Sequence, residues 1–301
     1  MRGAHNMGDM TEIPDRDSLQ SGPSALRLLI GAHLRRLREA ADVTREAAAY
    51  AIRGSQSKIS RMEAGRTSFK PRDVTDLLAL YGVRDRAERD SLLALVAQAN
   101  APSWWHEYRD VVPDWFEPYL GLEQDAALIR TYGVQHVPAL LQTEDYAREI
   151  IARNHEGEPS ARIARLLAVR LRRRRALGPP APRKLWAVLD EGALRRRVGD
   201  EDVMRAQLEH LARMAERPNV TLQVFPFASG SALGGVGPVT LLRFAQDELP
   251  DVVYLEHLTG AQYLNKENEV RHYRHLLNEL GVHAPPPSET PSILHGMIER
   301  L

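Results

Sequence analysis

Residues 44–63 of the chain read TREAAAYAIRGSQSKISRME, a stretch with the spacing of two short helices joined by a tight turn. Ala49 is small enough to lie where the two helices cross most closely, and Gly54 marks the turn between them. Ser55 is placed to cap the second helix, because its side-chain oxygen can accept a hydrogen bond from an early backbone N–H. The apolar positions that predict a shared core are Ile52, Ile59 and Met62.

The second of these helices leaves a polar and basic row on the side away from the core. A helix with such a row fits the major groove of DNA, where amide and guanidinium groups reach the edges of bases. Gln56 can make a bidentate contact with adenine, and Lys58 or Arg61 can donate to guanine or to a phosphate. The predicted groove-facing residues are Ser55, Gln56, Ser57, Lys58, Ser60 and Arg61.

Residues on either side of this helix are predicted to hold the DNA backbone. Such contacts supply affinity and fix the register, but they do not read the sequence of bases. The residues assigned to phosphate are Thr44, Arg45, Arg66, Lys70 and Arg72. Glu63 lies among these bases, and the sequence leaves open whether it orients a neighbouring arginine or is an exposed acid without a role.

The basic charge of the chain is concentrated around the same unit. In the whole chain 40 lysines and arginines balance 40 aspartates and glutamates, so the molecule is not a polycation that coats nucleic acid without specificity. Between Leu26 and Arg72, eleven basic residues outnumber four acids, which gives this segment a net charge of +7. The excess of positive charge therefore coincides with the predicted DNA-reading helix.

Composition also excludes several classes of protein. The chain has no cysteine, which excludes disulfides, thiolate nucleophiles and cysteine-ligated zinc and is typical of a reducing compartment. No segment approaches the roughly 18 consecutive apolar residues of a membrane span, and the N-terminus lacks the apolar core of a signal peptide. We therefore expect a cytoplasmic protein without a membrane partner.

The pattern of apolar residues along the chain predicts four segments. Residues 1–23 are polar and aperiodic and predict a disordered tail, and residues 24–99 predict a five-helix DNA-binding domain. Residues 100–183 predict an irregular aromatic connector and then helices, one of them in LGLEQDAALIRTYG. Residues 184–301 predict a mixed α/β domain with about four strands, in KLWAVLDE, VTLQVFPF, PVTLLRF and VVYLEHL. The predicted fold class is an all-α domain followed by an α/β domain.

Ordered stretches along both halves of the chain resemble one known family. In the first half they are HLRRLREAADVTREAAA and SQSKISRMEAGR. In the second half they are SWWHEY, YLGLEQDAALIRTY, VPALLQTEDYA, WAVLDEGALRRRVG, QLEHLARMAERPNVTLQVFPF and VVYLEHLTG. Through them the chain resembles, over almost its whole length, the XRE-type helix-turn-helix regulators of actinobacteria that carry a C-terminal antitoxin-like domain.

This resemblance implies a lambda-repressor-like N-terminal domain in a dimeric transcription factor, often working with a small partner protein encoded nearby. A single unit of this size covers about one half-site, so strong specificity calls for two units roughly 34 Å apart on one face of an operator. We therefore expect a homodimer on double-stranded DNA. The alternative function is an antitoxin-like module that sequesters a small partner protein and regulates its own operon.

One position of the turn departs from the usual pattern of this family. Arg53 stands where the motif usually carries glycine, and Gly54 follows one place later. Arg53 is therefore expected to adopt a left-handed backbone conformation, at a cost on the order of 1 kcal/mol.

Two clusters outside the first domain allow more than one interpretation. The seven arginines between Arg162 and Arg175 favour a solvated helix face, although they can also extend the DNA footprint or bind an acidic partner. The aromatic cluster after residue 100 favours packing, although its rings can also line a ligand pocket. The cluster comprises Trp104, Trp105, His106, Tyr108, Trp115, Phe116 and Tyr119, and Trp104, Trp105 and Tyr108 are the predicted ligand contacts.

The sequence gives no positive sign of catalysis, and we expect neither an enzyme nor a cofactor. The glycine-rich stretch SGSALGGVGP joins two predicted strands and precedes no helix, whereas a phosphate-binding loop opens a helix. His272 and His275 lie three residues apart near Glu269, but no metal motif accompanies them, so we predict no metal site.

Overall fold

The computed structural model describes residues 23–101, 103–180, 182–229, 236–245 and 249–301. The chain divides into two compact units, residues 1–103 and 104–301, and each is described by itself. Residues 1–22 of the predicted tail and most of the glycine-rich stretch SGSALGGVGP lie outside the described residues, whereas Pro23 is described. Among the described helices, none combines the length and the apolar character needed to cross a membrane.

The described part of the first unit contains five helices, as the sequence predicts. Its core is formed by the apolar positions of all five, including Ile30, Ile59, Val74 and Val96, each at most 1% exposed. The helices are α1 (Pro23–Ala40), α2 (Arg45–Ala51), α3 (Gln56–Glu63), α4 (Pro71–Leu80) and α5 (Arg86–Ala99).

The end of α3 lies against the backbone of α1, and two glycines make this approach possible. A methyl group added at Gly31 would lie 2.5 Å from the carbonyl oxygen of Met62 and 2.8 Å from that of Glu63. A methyl group added at Gly65, which ends α3 with a φ of +64°, would clash with the backbone of Leu28 in the same way. The position of α3 is therefore fixed by direct contact between main chains.

The second unit is an α/β domain built on one six-stranded sheet. Its strands are β1 (Leu128–Gly133), β2 (Lys184–Asp190), β3 (Val220–Phe225), β4 (Val239–Arg243), β5 (Val252–His257) and β6 (Gly260–Leu264). Its helices are α6 (Glu117–Asp125), α7 (Glu144–Asn154), α8 (Ser160–Arg173), α9 (Glu191–Arg195), α10 (Glu201–Ala215), α11 (Glu267–His283) and α12 (Thr290–Ile298).

The strands follow the order β3-β2-β1-β4-β5-β6. The pairs β3-β2 and β2-β1 are parallel, and the pairs β1-β4, β4-β5 and β5-β6 are antiparallel. The prediction of about four strands is therefore low by two, because β1 and β6 were missed. The stretch LGLEQDAALIRTYG is not one helix, since α6 ends at Asp125 and the central strand β1 begins at Leu128.

The two faces of the sheet are covered differently. Helix α11 packs on one face, where Tyr132, Val188, Leu241 and Val253 form a core with its side chains. Because side chains alternate along a strand, Ile129 and Thr131 of β1 and their neighbours belong to the opposite face. That face forms one wall of a cavity in this unit.

The close contact between α1 and α3 yields a test of the first unit. Gly31→Ala places a methyl group against two backbone carbonyls that cannot rotate away, so we expect a loss of about 1–3 kcal/mol of unfolding free energy. Differential scanning calorimetry of the full chain measures the change.

The matched control is Gly296→Ala in α12. This glycine is also inside a helix, but the nearest atom to an added methyl group is the flexible end of Arg300 at 3.7 Å. The change should be neutral or slightly stabilising, by up to about 1 kcal/mol, because alanine favours a helix over glycine. Equal melting shifts for the two variants would contradict the backbone contact.

Candidate nucleic-acid interface

Helix α3 presents one apolar side and one polar side, as the sequence predicts. Ile59 and Met62 are each 1% exposed in the core of the unit. Gln56, Ser57 and Arg61 are exposed. Ser60 is also exposed, so that polar groups follow the outer side of the helix over its whole length. This outer row, Gln56, Ser57, Ser60 and Arg61, is the candidate base-reading surface.

Capping side chains fix where α2 and α3 begin. The hydroxyl of Ser55 accepts a hydrogen bond from the backbone N–H of Lys58 at 3.2 Å, which confirms the predicted cap. The hydroxyl of Thr44 accepts one from the N–H of Ala47 at 3.1 Å at the start of α2. Both hydroxyls therefore satisfy backbone donors within their own helix, and both residues remain exposed.

The turn between α2 and α3 has the left-handed residue that the sequence predicts. Arg53 has a φ of +52°. Its N–H donates to the carbonyl of Tyr50 at 3.0 Å, and the N–H of Gly54 donates to that of Ala49 at 2.8 Å. This pair of bonds is the Schellman pattern that ends many helices, and it usually has glycine at the left-handed position.

A buried ion-pair network ties α3 to α1 and α2. Glu63 is buried, with 6% of its side chain exposed. Its carboxylate accepts hydrogen bonds from Arg38 at 2.5 and 3.2 Å. It also accepts one from Arg45 at 3.2 Å. The hydrogen bond to Glu63 raises the pKa of Arg38, so the guanidinium keeps its charge. Glu63 therefore orients two arginines and is not an exposed acid.

This network includes one arginine that was predicted to bind phosphate and one for which the sequence predicted no role. Arg45, predicted to hold phosphate, is anchored by Glu63 but keeps 46% of its side chain exposed, so its remaining donors face solvent. Arg38 was not singled out by the sequence, although its place on the apolar side of α1, four residues after Leu34, was the available signal. A buried arginine in such a row requires a partner of opposite charge.

Lys58 differs from the prediction. Its ammonium pairs with the carboxylate of Asp73 in α4, and only 29% of its side chain is exposed. Asp73 itself is buried, with 10% of its side chain exposed. Lys58 therefore links α3 to α4, whereas Arg61 is exposed.

The other predicted phosphate contacts lie at the surface after α3. Arg66, Lys70 and Arg72 are all exposed. Arg72 lies 3.9 Å from Asp76 across one turn of α4, with 70% of its side chain exposed. A pair this long and this exposed leaves the arginine available to another anion.

The aromatic residues predicted for a ligand pocket pack inside the second unit. Trp105 is 2% exposed in a core cluster with Val111, Val112, Leu120 and Val169. The guanidinium of Arg172 lies 4.8 Å above the ring of Trp104, and that of Arg165 lies 5.2 Å above Tyr108. Trp104, Trp105 and Tyr108 do not line the described cavity of this unit, whereas Trp115, Phe116 and Tyr119 of the same predicted aromatic cluster do.

The arginines of α8 make ion pairs and hydrogen bonds with earlier residues of the second unit, which the sequence did not predict. Arg162 donates to the carbonyl of Asp110 at 2.9 Å. Arg165 pairs with the Asp110 carboxylate at 2.6 Å, and Arg172 pairs with Glu107. These three arginines stay partly exposed, with 37%, 42% and 33% of their side chains accessible, and they hold the aromatic segment of the same unit.

Comparison with protein families divides the chain in the same way. A family model described as a helix-turn-helix domain matches residues 29–92, and the model described as "Domain of unknown function (DUF5753)" matches residues 116–296, more than half of the chain. The chain belongs to the DUF5753 family. No curated protein and no solved structure matches it.

The two matches fit the geometry of the DUF5753 chain. The helix-turn-helix match begins within α1, contains α2, α3 and α4, and ends within α5. The first unit is therefore a helix-turn-helix DNA-binding domain. The DUF5753 match covers the whole six-stranded sheet, from α6 to α12.

The left-handed residue of the turn gives a test of strain. Arg53→Gly relieves the clash of Cβ at a φ of +52°, so we expect the first unit to gain about 1 kcal/mol of unfolding free energy. Urea unfolding measures it. Arg53→Ala removes the same charge but keeps the Cβ atom, and it should gain little; an equal gain would show that charge, not backbone strain, is responsible.

The buried network gives a second test. Arg38→Met leaves Glu63 buried with only Arg45 as its partner, so the first unit should lose on the order of 3 kcal/mol of unfolding free energy. The control is Arg35→Met, which breaks the exposed pair with Glu39 in the same helix and should cost less than about 1 kcal/mol. Similar losses in the two variants, measured by calorimetry, would rule out a special role for the buried pair.

Proposed function

We propose that this chain is a sequence-specific transcriptional regulator of the XRE type that binds an operator as a homodimer and responds to a partner or ligand through its C-terminal unit. The observation that carries the proposal is the outer row of α3, exposed on a helix whose other side is fixed by the core. A base-reading helix needs this combination, because a mobile helix cannot hold bidentate contacts in register. The match of residues 29–92 to the helix-turn-helix model supports it.

The outer row of α3 offers the chemistry that base edges require. The amide of Gln56 lies at the first position of α3, the end that a recognition helix brings closest to the bases. An amide can bond both N6 and N7 of adenine, and each such pair discriminates against a wrong base by about 1–3 kcal/mol. Arg61 lies further along the exposed side, where it reaches guanine or the backbone.

The surrounding charge favours binding to phosphate. Arg45 is oriented by Glu63, so less side-chain entropy is lost when it meets a phosphate than for a freely rotating arginine. Exposed Arg66, Lys70 and Arg72 continue this surface beyond α3. The proposal assigns these groups to affinity and to the salt dependence of binding.

Two copies of the domain are part of the proposal because one copy contacts too few base pairs. A half-site read by one helix gives limited discrimination, and a dimer with two half-sites one helical turn apart multiplies it. We assign dimerisation to the C-terminal unit. No enzymatic activity is part of the proposal.

The antitoxin-like alternative assigns a different main task to residues 104–301, the capture of a small partner protein. Affinity purification of the full tagged chain from its native host separates the two. A stoichiometric protein partner that dissociates the chain from its operator supports sequestration. A chain that is recovered as a homodimer and still represses or activates alone supports the regulator.

The DNA surface yields a test with three variants. Operators are first selected from random duplexes with the full chain. Gln56→Ala should then weaken binding to the selected operator by roughly tenfold while leaving random DNA unchanged, because it removes one bidentate base contact. Arg45→Ala should weaken both kinds of DNA and lower the slope of log K against log salt by about one. Fluorescence anisotropy at several salt concentrations measures both.

The control is Arg86→Ala in α5, which removes one positive charge from a side chain that is 94% exposed on another helix. It should change neither specificity nor the salt slope. The proposed function is wrong if the full chain selects no duplex from the random pool. The assignment of α3 is wrong if Gln56→Ala binds the operator as tightly as the unchanged chain.

A further inference from the structure

The second unit contains a cavity of about 840 Å³ whose described lining residues all lie between Val111 and Leu258. One wall is the sheet face that carries Thr131, Thr240 and Tyr254. Helix α8 forms another wall with Val169, Arg170 and Arg173, and the aromatic segment before α6 closes a third side. A volume of this size accommodates a small organic molecule.

Two arginines of α8 line this cavity, and one of them forms an ion pair with a buried carboxylate. Arg173 makes two parallel bonds to the carboxylate of Glu123, at 2.8 and 2.7 Å. Glu123 has only 3% of its side chain exposed, and the guanidinium also lies 5.2 Å from the ring of Phe116 and 5.3 Å from that of Tyr119. Although burial opposes it, the Glu123 carboxylate raises the pKa of Arg173. The charge of Arg173 is therefore compensated inside the protein.

Arg170, one turn earlier, has no such compensation. It donates one hydrogen bond, at 3.2 Å, to the side-chain oxygen of Gln142, which is neutral. Within the described ranges, no carboxylate oxygen lies within 4.0 Å of its guanidinium. Burial, together with the nearby charge of Arg173, lowers the pKa of Arg170 to about 10. A cation in this environment is costly unless an anion joins it.

The acids near the cavity do not fill this role. Glu123 is held by Arg173 on both oxygens. Glu256 is an exposed residue at the end of β5, and it accepts a hydrogen bond from the hydroxyl of Tyr254 at 2.8 Å. Its field favours the charged form of Arg170, but it makes no direct bond to it in the part of the chain that the structure describes. The lining therefore balances two arginines with two glutamates, but the guanidinium of Arg170 has no carboxylate bonded to it in the part of the chain that the structure describes.

The rest of the lining indicates what else the occupant carries. The walls around the arginine are mostly rings and aliphatic groups, and the hydroxyls of Thr131 and Thr240 lie 3.2 Å apart and bond each other. Such a lining favours a flat or compact apolar body over a polyhydroxylated one. The ring and aliphatic residues include Val112, Trp115, Phe116, Tyr119, Tyr132, Leu140, Leu166, Val169 and Tyr254.

We propose that this cavity binds a small apolar carboxylic acid, with its carboxylate on the guanidinium of Arg170 and its body against the aromatic walls. A monoanion matches the single guanidinium that has no bonded carboxylate, whereas a phosphate ester brings up to two negative charges. The fork of guanidinium donors suits the two oxygens of a carboxylate. The inference names the ligand class for the response that the proposed function assigns to the second unit, and it rests on that function only for its regulatory meaning.

The test compares acids with their neutral amides. The full chain is titrated, without DNA, with benzoate, phenylacetate and indole-3-acetate, and separately with benzamide, phenylacetamide and indole-3-acetamide, by isothermal titration calorimetry. At least one acid should bind, and its amide should bind about tenfold more weakly or worse, because it lacks the charge-assisted bonds.

Two variants of α8 assign the contact. Arg170→Gln removes the charge but keeps a donor for Gln142, and it should lose about tenfold or more in affinity for the acid. Arg165→Gln, on the same helix but outside the cavity lining, should bind as the unchanged chain does. If the Arg170→Gln protein fails to fold, Arg170→Lys keeps the charge without the fork and should bind the acid more weakly but measurably.

The outcomes that overturn the proposal are distinct. It is wrong if no acid binds at millimolar concentration, if acid and amide bind equally, or if Arg170→Gln binds the acid unchanged. Inorganic phosphate that binds as tightly as the acids would place the ligand in another class and also overturn it. Since these titrations contain no DNA, a chain that binds an acid but never an operator overturns the proposed function alone.

Discussion

The DNA-binding unit depends on the ion pairs that the buried carboxylate of Glu63 forms. This carboxylate lies at the end of α3, inside the protein, and holds Arg38 of α1 and Arg45 of α2. A buried carboxylate is unfavourable without partners, so the three helices reach their lowest energy only when they meet around it. The close backbone contact at Gly31 acts in the same place, since both features fix the end of α3 against α1. The outer side of α3 is therefore presented on a rigid support, which is what reading base edges requires.

A buried charge also needs a partner of opposite charge in the second unit, where two arginines of α8 differ in whether they have one. Arg173 and Glu123 satisfy each other, and they join α8 to α6 as a neutral, buried pair. Arg170 obeys the same electrostatics but has only the neutral Gln142 as its hydrogen-bond partner within the described residues. Structural arginines generally obtain an acid when they are buried, so the difference between two arginines one turn apart is the physical reason to look for a ligand at the second one. Charge compensation is complete where the fold is held together and incomplete where a molecule can enter.

Prediction from the sequence succeeded where information is local. The cap at Ser55, the left-handed Arg53 and the division of α3 into two sides all depend on residues within a few positions of each other. It failed at β1, because LIRTYG is short and follows a helix without a proline or glycine between them. It failed again at β6, a five-residue edge strand, and at the arginines of α8, whose partners Glu107, Asp110 and Glu123 lie about 50 to 65 positions earlier in the chain.

The sequence by itself determined the helix-turn-helix, its basic charge and the change to an α/β pattern in the second half, because periodicity, capping and composition are properties of neighbouring residues. Only the tertiary structure decided which charges remain available. Lys58 and Arg61 are equivalent in the sequence, yet Asp73 engages the first and leaves the second exposed. Arg170 and Arg173 are also equivalent in the sequence, yet among the described residues only Arg173 forms an ion pair with a carboxylate. Ion pairs form between residues far apart in the chain, and their energy depends on burial. The sequence alone therefore does not show which basic side chains are paired in the folded protein.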